Sequence, residues 1–174
     1  MIQNKNQRAN SRGFTLMEII VVLAIICIVI ALVFPRLPST ENENLKTSAH
    51  TLAATFRYLQ DRAATTKLTY VAMLEPGTDN IKIQELLAGS GKKYPDDPFL
   101  RKHPLRKNIQ VADVVIPRLG KITRGQVQLD LGIDGLKDFV TIHLRSSSGN
   151  YQTVMIFPAG GKIKVYEGYR EGAL

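Results

Sequence analysis

Residues 12–18 read Arg-Gly-Phe-Thr-Leu-Met-Glu, and sixteen apolar residues follow them, from Ile19 to Phe34. A helix from Phe14 to Phe34 contains 21 residues. At about 1.5 Å per residue, such a helix is roughly 31 Å long, which matches the hydrocarbon core of a bilayer. The sequence therefore predicts a single transmembrane helix over residues 14–34.

Basic residues on either side of the apolar block predict its orientation. Lys5, Arg8 and Arg12 precede the block, whereas Arg36 and Lys46 follow it. This bias places the N-terminus in the cytoplasm and the remainder of the chain outside. The block is longer than the apolar region of a secretory signal peptide, and no small-x-small cleavage pattern follows it. A plain signal anchor is the simplest alternative.

Glu18 argues against a plain anchor. A carboxylate in an apolar membrane helix costs up to about 2.5–3.5 kcal/mol, so ionisable residues at such positions are functional candidates. Glu18 lies one helical turn after Phe14, on the same face of the predicted helix. A cut before Phe14 would create an α-ammonium group there, and that cation could neutralise a carboxylate on the same chain or on a neighbour.

Residues 12–19 resemble the class III leader of type IV pilins and type II secretion pseudopilins, in which a basic residue and glycine precede Phe-Thr-Leu-x-Glu and a long apolar helix. The resemblance implies that prepilin peptidase removes residues 1–13 by cutting between Gly13 and Phe14. It also implies that the same enzyme methylates the new amine of Phe14. Glu18 would then register the subunit in a helical fibre against a neighbour's N-terminus.

Pro35 ends the apolar run, and Pro38 follows it. Proline removes a helical hydrogen bond, so Pro35 predicts either the end of the anchor or a kink in a longer helix, and Pro38 favours a break. Ser39 or Thr40 can cap a new helix, which apolar residues at spacings of three and four extend to about Thr66. That stripe consists of Leu45, Ala49, Leu52, Phe56, Leu59 and Ala63. We expect residues 35–66 to form an amphipathic second part of the long helix, with His50 at the surface.

Short β-rich runs separated by turn residues fill the remaining chain, residues 67–174. The predicted strands are 69–74, 81–87, 111–116, 127–131, 139–144, 153–157 and 162–166. Residues 146–150 and 158–161 read as hairpin connections. The predicted fold class is α+β, a type IV pilin-like fold in which a long N-terminal helix packs on antiparallel sheet.

Glycine and proline residues are frequent over residues 89–108, which predicts a long, mobile loop. Four basic residues in this segment form a candidate patch for an anionic partner: Arg101, Lys102, Arg106 and Lys107. A solvated loop is the simpler interpretation, and docking of another pilin or of an acidic partner is the functional one.

Two further segments resemble those of a particular group within the pilins and pseudopilins. Residues 59–64 read Leu-Gln-Asp-Arg-Ala-Ala before a predicted strand, and residues 156–161 read Ile-Phe-Pro-Ala-Gly-Gly. Both resemble segments of the H-type (GspH) minor pseudopilins and of their FimT-like pilin relatives. In the second segment the proline directly follows the phenylalanine, which departs from the Phe-x-Pro-x-Gly pattern of those proteins.

The composition indicates little further chemistry. The net charge of +8 falls to +5 when residues 1–13 are removed, which does not require a nucleic-acid partner. Cys27 is the single cysteine, so an intramolecular disulfide is excluded. His50, His103 and His143 lack metal-ligand spacing, and no sequence feature indicates a cofactor. The chain is expected to be a substrate of the peptidase and no enzyme itself.

Two functions remain open at the level of the sequence. The first is a minor pseudopilin of a type II secretion system, a structural subunit at the tip of a periplasmic fibre whose partners are other pseudopilins, the peptidase and the inner membrane. The second is a FimT-like minor pilin that binds DNA during uptake. The basic patch, or the tail near Arg170, would then neutralise phosphates.

Overall fold

The computed structural model describes residues 15–33, 40–87 and 91–171. They belong to two compact units, Met1–Pro38 and Ser39–Leu174. Three predicted features lie outside the described residues: the cleavage site between Gly13 and Phe14, the methylated amine of Phe14, and the kink at Pro35.

The described part of the first unit is helix α1, Leu16–Val33. Thr15 begins the helix, because its hydroxyl accepts a hydrogen bond from the backbone N–H of Glu18 at 3.3 Å. A threonine side chain in this position satisfies one of the N–H groups that a helix start leaves without an intrahelical partner. Glu18 therefore lies in the first turn, where the helix dipole favours a negative charge.

The second unit begins with helix α2, Thr40–Thr66. The predicted apolar stripe is confirmed, since all six of its residues are buried, and His50 is exposed as expected. The first turn of α2 is fastened to a distant turn at residues 146–150. Glu41 accepts hydrogen bonds from the Ser147 hydroxyl at 2.7 Å and from the Ser148 N–H at 3.0 Å. At its other end, α2 stops where Lys67 adopts a φ of 57°.

Nine strands and one short helix follow α2 in the described residues. The strands are β1 Thr69–Leu74, β2 Ile81–Leu86, β3 Lys92–Lys93, β4 Ile109–Ile116, β5 Gly120–Ile122, β6 Val127–Leu131, β7 Val140–Ser146, β8 Tyr151–Ile156 and β9 Ile163–Glu167. Helix α3, Pro98–Arg101, lies between β3 and β4. The strands form a four-stranded sheet in the order β3-β2-β1-β6 and a five-stranded sheet in the order β5-β4-β7-β8-β9, and all pairings are antiparallel.

Helix α2 packs mainly on β7, β8 and β9, and it also contacts β1, β4 and β6. Alternation along the strands directs Ile142 and Leu144 of β7, and Val154 and Ile156 of β8, into the core. The core cluster, with the residues packed against it, lies entirely between Leu45 and Val165. The second unit therefore has a core of its own, and its architecture is α+β with a long helix on antiparallel sheet, consistent with a pilin-like fold.

The prediction of a long mobile loop is wrong for the described part of residues 89–108. This part contains β3 and α3, and its two leucines, Leu100 and Leu105, are only 5% and 6% exposed. Both leucines belong to the core cluster. Their burial against the unit fixes the segment despite its many prolines and glycines.

Candidate functional sites on the apolar helix and the globular unit

Helix α1 exposes apolar side chains around its whole circumference. Its large hydrophobic residues are between 46% exposed, at Val21, and 78% exposed, at Leu16. Glu18 and Cys27 are exposed on the same helix. The carboxylate of Glu18 has no hydrogen-bond or ion-pair partner among the described residues. Across residues 15–33, 40–87 and 91–171, no helix combines the length and the apolarity needed to cross a membrane.

The segment that carries the predicted basic patch is held by α3 and by α2. Asp97 caps α3, accepting a hydrogen bond from the Phe99 N–H at 2.8 Å, and it also accepts one from the hydroxyl of Tyr58 on α2. The ring of Phe99 meets Tyr58 edge-on, at 5.1 Å between centroids. Further along, the backbone N–H of Arg106 donates to the Ser48 hydroxyl at 2.8 Å.

The hydrogen bond between Tyr58 and Asp97 changes the pKa of both groups. It raises the pKa of the Tyr58 hydroxyl, and burial and the charge of Asp97 add to the effect. The same bond lowers the pKa of Asp97, together with the N–H of Phe99. Asp97 is therefore a fixed negative charge that offsets part of the basic patch.

The four predicted patch residues differ in whether their charge is paired. Arg101 is paired with Asp96 at 2.7 Å, so its charge is largely compensated. Lys102, Arg106 and Lys107 are exposed and form no ion pair within the described residues. Lys102 and Arg106 line one cleft of about 370 Å³, together with Thr51, Thr55, Phe99, His103 and Pro104. Lys107 does not line that cleft.

Sequence reasoning missed a buried polar cluster on the other face of the five-stranded sheet. His143 of β7 is fully buried, and its Nδ1 lies 2.6 Å from Oδ1 of Asp113, its cross-strand neighbour on β4. Its Nε2 lies 2.9 Å from the carbonyl oxygen of Arg170, and its ring stacks on Tyr169 at 3.8 Å. A signal was present in the sequence, since Asp113 and His143 each lie between two apolar neighbours in their strand.

Residues 168–171, which we call the C-terminal segment, cover this cluster. The Thr153 hydroxyl donates to the Gly168 carbonyl at 2.7 Å and accepts from the Arg170 N–H at 3.0 Å. The predicted anionic-partner residue Arg170 is therefore held through its backbone, while its guanidinium lies 5.1 Å from the centroid of the Tyr166 ring. No group of three His, Cys, Asp or Glu side chains suited to a metal ion occurs within residues 15–33, 40–87 and 91–171.

Comparison with known proteins bears on the N-terminal block. A family model described as the prokaryotic N-terminal methylation motif matches residues 8–34. The chain thus carries a class III prepilin leader, the signal that prepilin peptidase processes in pilin-type proteins. The match ends at residue 34 and so includes no part of the globular unit. No curated protein and no solved structure gives a significant match.

Proposed function

We propose that the chain is a structural subunit of a pilin-type fibre, specifically a minor pseudopilin at the tip of a type II secretion pseudopilus. In this proposal residues 14–34 hold the precursor in the inner membrane, with the N-terminus cytoplasmic and the globular unit periplasmic. Prepilin peptidase removes residues 1–13 and methylates Phe14. The protein is a substrate of that enzyme and has no catalytic activity of its own.

The observation that carries the proposal is the apolar surface of α1. A helix that is apolar on all sides is stable only when it is buried, in a membrane or among other helices. Both surroundings occur in a pilin-type life cycle, because the same helix leaves the bilayer and packs among neighbouring helices of the fibre. The leader at residues 8–34 supports this order of events.

Glu18 supplies the polar contact within that apolar packing. Its carboxylate is exposed in the first turn of α1 and has no described partner. Cleavage before Phe14 places a new α-ammonium one turn away along the chain. In a fibre, the carboxylate of one subunit would pair with the amine of another, which offsets the cost of burying either charge.

Removing the carboxylate tests this role. Glu18→Ala should leave cleavage and methylation intact, as read from the mass of the mature chain, and should strongly reduce incorporation into the fibre, as read from in vivo cross-linking to neighbouring subunits. Glu43→Ala is the matched control, since Glu43 is an exposed first-turn acid of α2 and should be incorporated normally. Normal incorporation of the Glu18 variant would remove Glu18 from the assembly mechanism. An uncut N-terminus in cells with active peptidase would overturn the proposal as a whole.

The assignment to a secretion system is a separate part of the proposal. It is supported by the resemblance of residues 59–64 and 156–161 to H-type minor pseudopilins. Deletion of the gene in its own host should block export of folded periplasmic proteins and leave pilus retraction intact. Loss of retraction or DNA uptake with normal export would assign the subunit to a type IV pilus instead.

The exposed cations favour a second function, DNA binding by a FimT-like minor pilin. Lys102, Arg106 and Lys107 are exposed and have no described acidic partner, and two of them line one cleft. Gel shifts with the globular unit, residues 39–174, test this directly. Contact with phosphates would give a shift that weakens steeply between about 50 and 200 mM salt. The absence of a salt-sensitive shift at micromolar protein would exclude it.

A charge-matched variant identifies the surface involved. Replacing the three patch cations by alanine should abolish the shift. The control replaces three exposed cations elsewhere: Lys67, Arg124 and Lys137. Both variants lower the net charge by the same amount. Equal loss of binding in both would show a general charge effect and no defined DNA site.

A further inference from the structure

His143 has hydrogen-bond acceptors on both sides of its ring. Its Nδ1 lies 2.6 Å from Oδ1 of Asp113, and its Nε2 lies 2.9 Å from the carbonyl oxygen of Arg170. The side chain is 0% exposed, so water cannot substitute for either partner. A buried nitrogen facing an acceptor must carry a proton or lose the hydrogen bond.

A neutral histidine has one ring proton and a carboxylate has none. The two hydrogen bonds of the ring require two protons, so the site binds one additional proton. The Arg170 carbonyl can only accept, so Nε2 carries a proton. The remaining proton lies between Nδ1 and Asp113, and it belongs either to an imidazolium beside a carboxylate or to a neutral imidazole beside a carboxylic acid.

The surroundings of Asp113 favour the carboxylate. Lys121 Nζ lies 3.6 Å from Oδ2 of Asp113, and the Tyr169 hydroxyl donates to its Oδ1 at 3.4 Å. A neighbouring cation and a donated hydrogen bond both stabilise the ionised form of an acid. The Tyr169 ring also stacks on the imidazole at 3.8 Å between centroids, an arrangement that favours a cation. We infer that His143 is held as an imidazolium, and that its Nε2 proton binds the Arg170 carbonyl and so holds the C-terminal segment on the sheet. We call this contact the clasp.

A second contact, from a side chain without an ionisable group, also holds the C-terminal segment on the sheet. Thr153 binds the same segment through the Gly168 carbonyl and the Arg170 N–H. The titratable groups facing the imidazole are Asp113 from β4, Lys121 from β5 and Tyr169 from the segment itself. The hydrogen bond with Tyr169, and then the charge of Asp113, raise the pKa of Lys121, so this cation persists at neutral pH.

The consequence of losing the bound proton follows from the two acceptors. With one ring proton fewer, either Asp113 or the Arg170 carbonyl lacks a donor. We expect the C-terminal segment to loosen in that case, while α2 and the strands stay folded.

Nitrogen NMR of the full chain in detergent micelles, with ¹⁵N in the histidine rings, tests the protonation state directly. His50 and His103 are exposed and serve as internal references. At about pH 7.5, both His143 nitrogens should have the chemical shifts of a protonated ring. One protonated and one bare nitrogen on His143 at that pH would overturn the inference.

Amide exchange at Arg170, measured at one fixed pH near neutrality, tests the clasp. This N–H donates to the Thr153 hydroxyl, which both test variants keep. His143→Phe removes the donor to the Arg170 carbonyl, so the protection factor should fall roughly ten- to hundred-fold, the change expected for one charge-assisted hydrogen bond. In Asp113→Asn the new side-chain amide can donate to Nδ1 while a neutral ring keeps its proton on Nε2, so protection should stay close to that of the unmodified chain. Unchanged protection in a folded His143→Phe chain would contradict the clasp.

Discussion

Two glycines with positive φ offer a matched test of how the loop at residues 132–135 packs. Gly135 (φ +79°) lies against the β8–β9 hairpin, and a Cβ added there would fall 2.5 Å from the backbone nitrogen of Gly160. The hairpin is tied to this loop by the Ala159 N–H, which donates to the Leu136 carbonyl at 2.9 Å. Gly149 (φ +86°) has a similar backbone, but a Cβ there would have no atom within 4 Å.

The two alanine substitutions should therefore lower the free energy of unfolding by amounts that differ only by the steric contribution at Gly135. Both substitutions cost about 1–2 kcal/mol for a left-handed backbone conformation. Gly135→Ala adds about 1–3 kcal/mol, because rigid backbone has to move to admit the methyl group. We expect losses of roughly 2–5 kcal/mol for Gly135→Ala and roughly 1–2 kcal/mol for Gly149→Ala. For a unit of this size, about 3 °C of Tm corresponds to each kcal/mol.

Thermal and urea unfolding of the globular unit, followed by circular dichroism, would measure both variants. The comparison rests on the difference, so a general effect of alanine on turns is subtracted. Equal losses at the two positions would show that the loop and the hairpin do not pack as closely as described. A larger loss at Gly149 would contradict the assignment of open space there.

Three further predictions concern α2 and its neighbours. Leu52→Ala should cost about 2–5 kcal/mol of unfolding free energy in urea because Leu52 is 1% exposed, whereas exposed His50→Ala should stay within about 0.5 kcal/mol. Hydrogen bonds from the 146–150 turn lower the pKa of Glu41 from its ordinary value of 4.5, so the carboxylate stabilises the fold above pH 4.5 and this contribution is lost as the pH falls further. The urea midpoints of Glu41→Gln and of the unmodified chain should therefore converge on acidification. The bond to Asp97 raises the pKa of Tyr58, so ultraviolet titration of Tyr58→Phe should lack a component above pH 10.

The long helix and most of the strands were predictable because their signals are local. Spacings of three and four along residues 45–63 identify the buried face of α2, and that face is buried as predicted. Strands β1 and β6 have the predicted bounds, and the other five predicted strands differ by a few residues at their ends. These elements follow from the periodicity of side chains, which the sequence displays directly.

The segment before β4 was misjudged because composition was weighed above individual residues. Asp97 followed by Pro98 is a helix-start signal, with a side-chain cap and a proline in the first turn. The buried Leu100 and Leu105 are the residues that fix the segment. Two-residue β3 and three-residue β5 are too short to show a period of two.

The cluster around His143 depends on strand register, which the sequence does not display. Asp113 and His143 are 30 residues apart and meet because β4 pairs with β7 in a register that places them opposite each other. Each residue alone is one polar position between apolar neighbours, as alternation along a strand allows. Their pairing, and the role of the C-terminal segment as a cover, become visible only when both strands and the tail are in place.

The two units have different requirements for burial, and this separates folding from assembly. Every residue of the core cluster belongs to the second unit, so that unit has a hydrophobic core of its own. Helix α1 instead exposes apolar side chains on all sides, with Glu18 as its acidic residue. We therefore expect a substitution in α1 to leave the unfolding of the globular unit unchanged and, under the proposed function, to act on membrane anchoring or on assembly. For this reason, a Glu18→Ala chain that is cleaved, folded and excluded from the fibre would assign the defect to assembly itself.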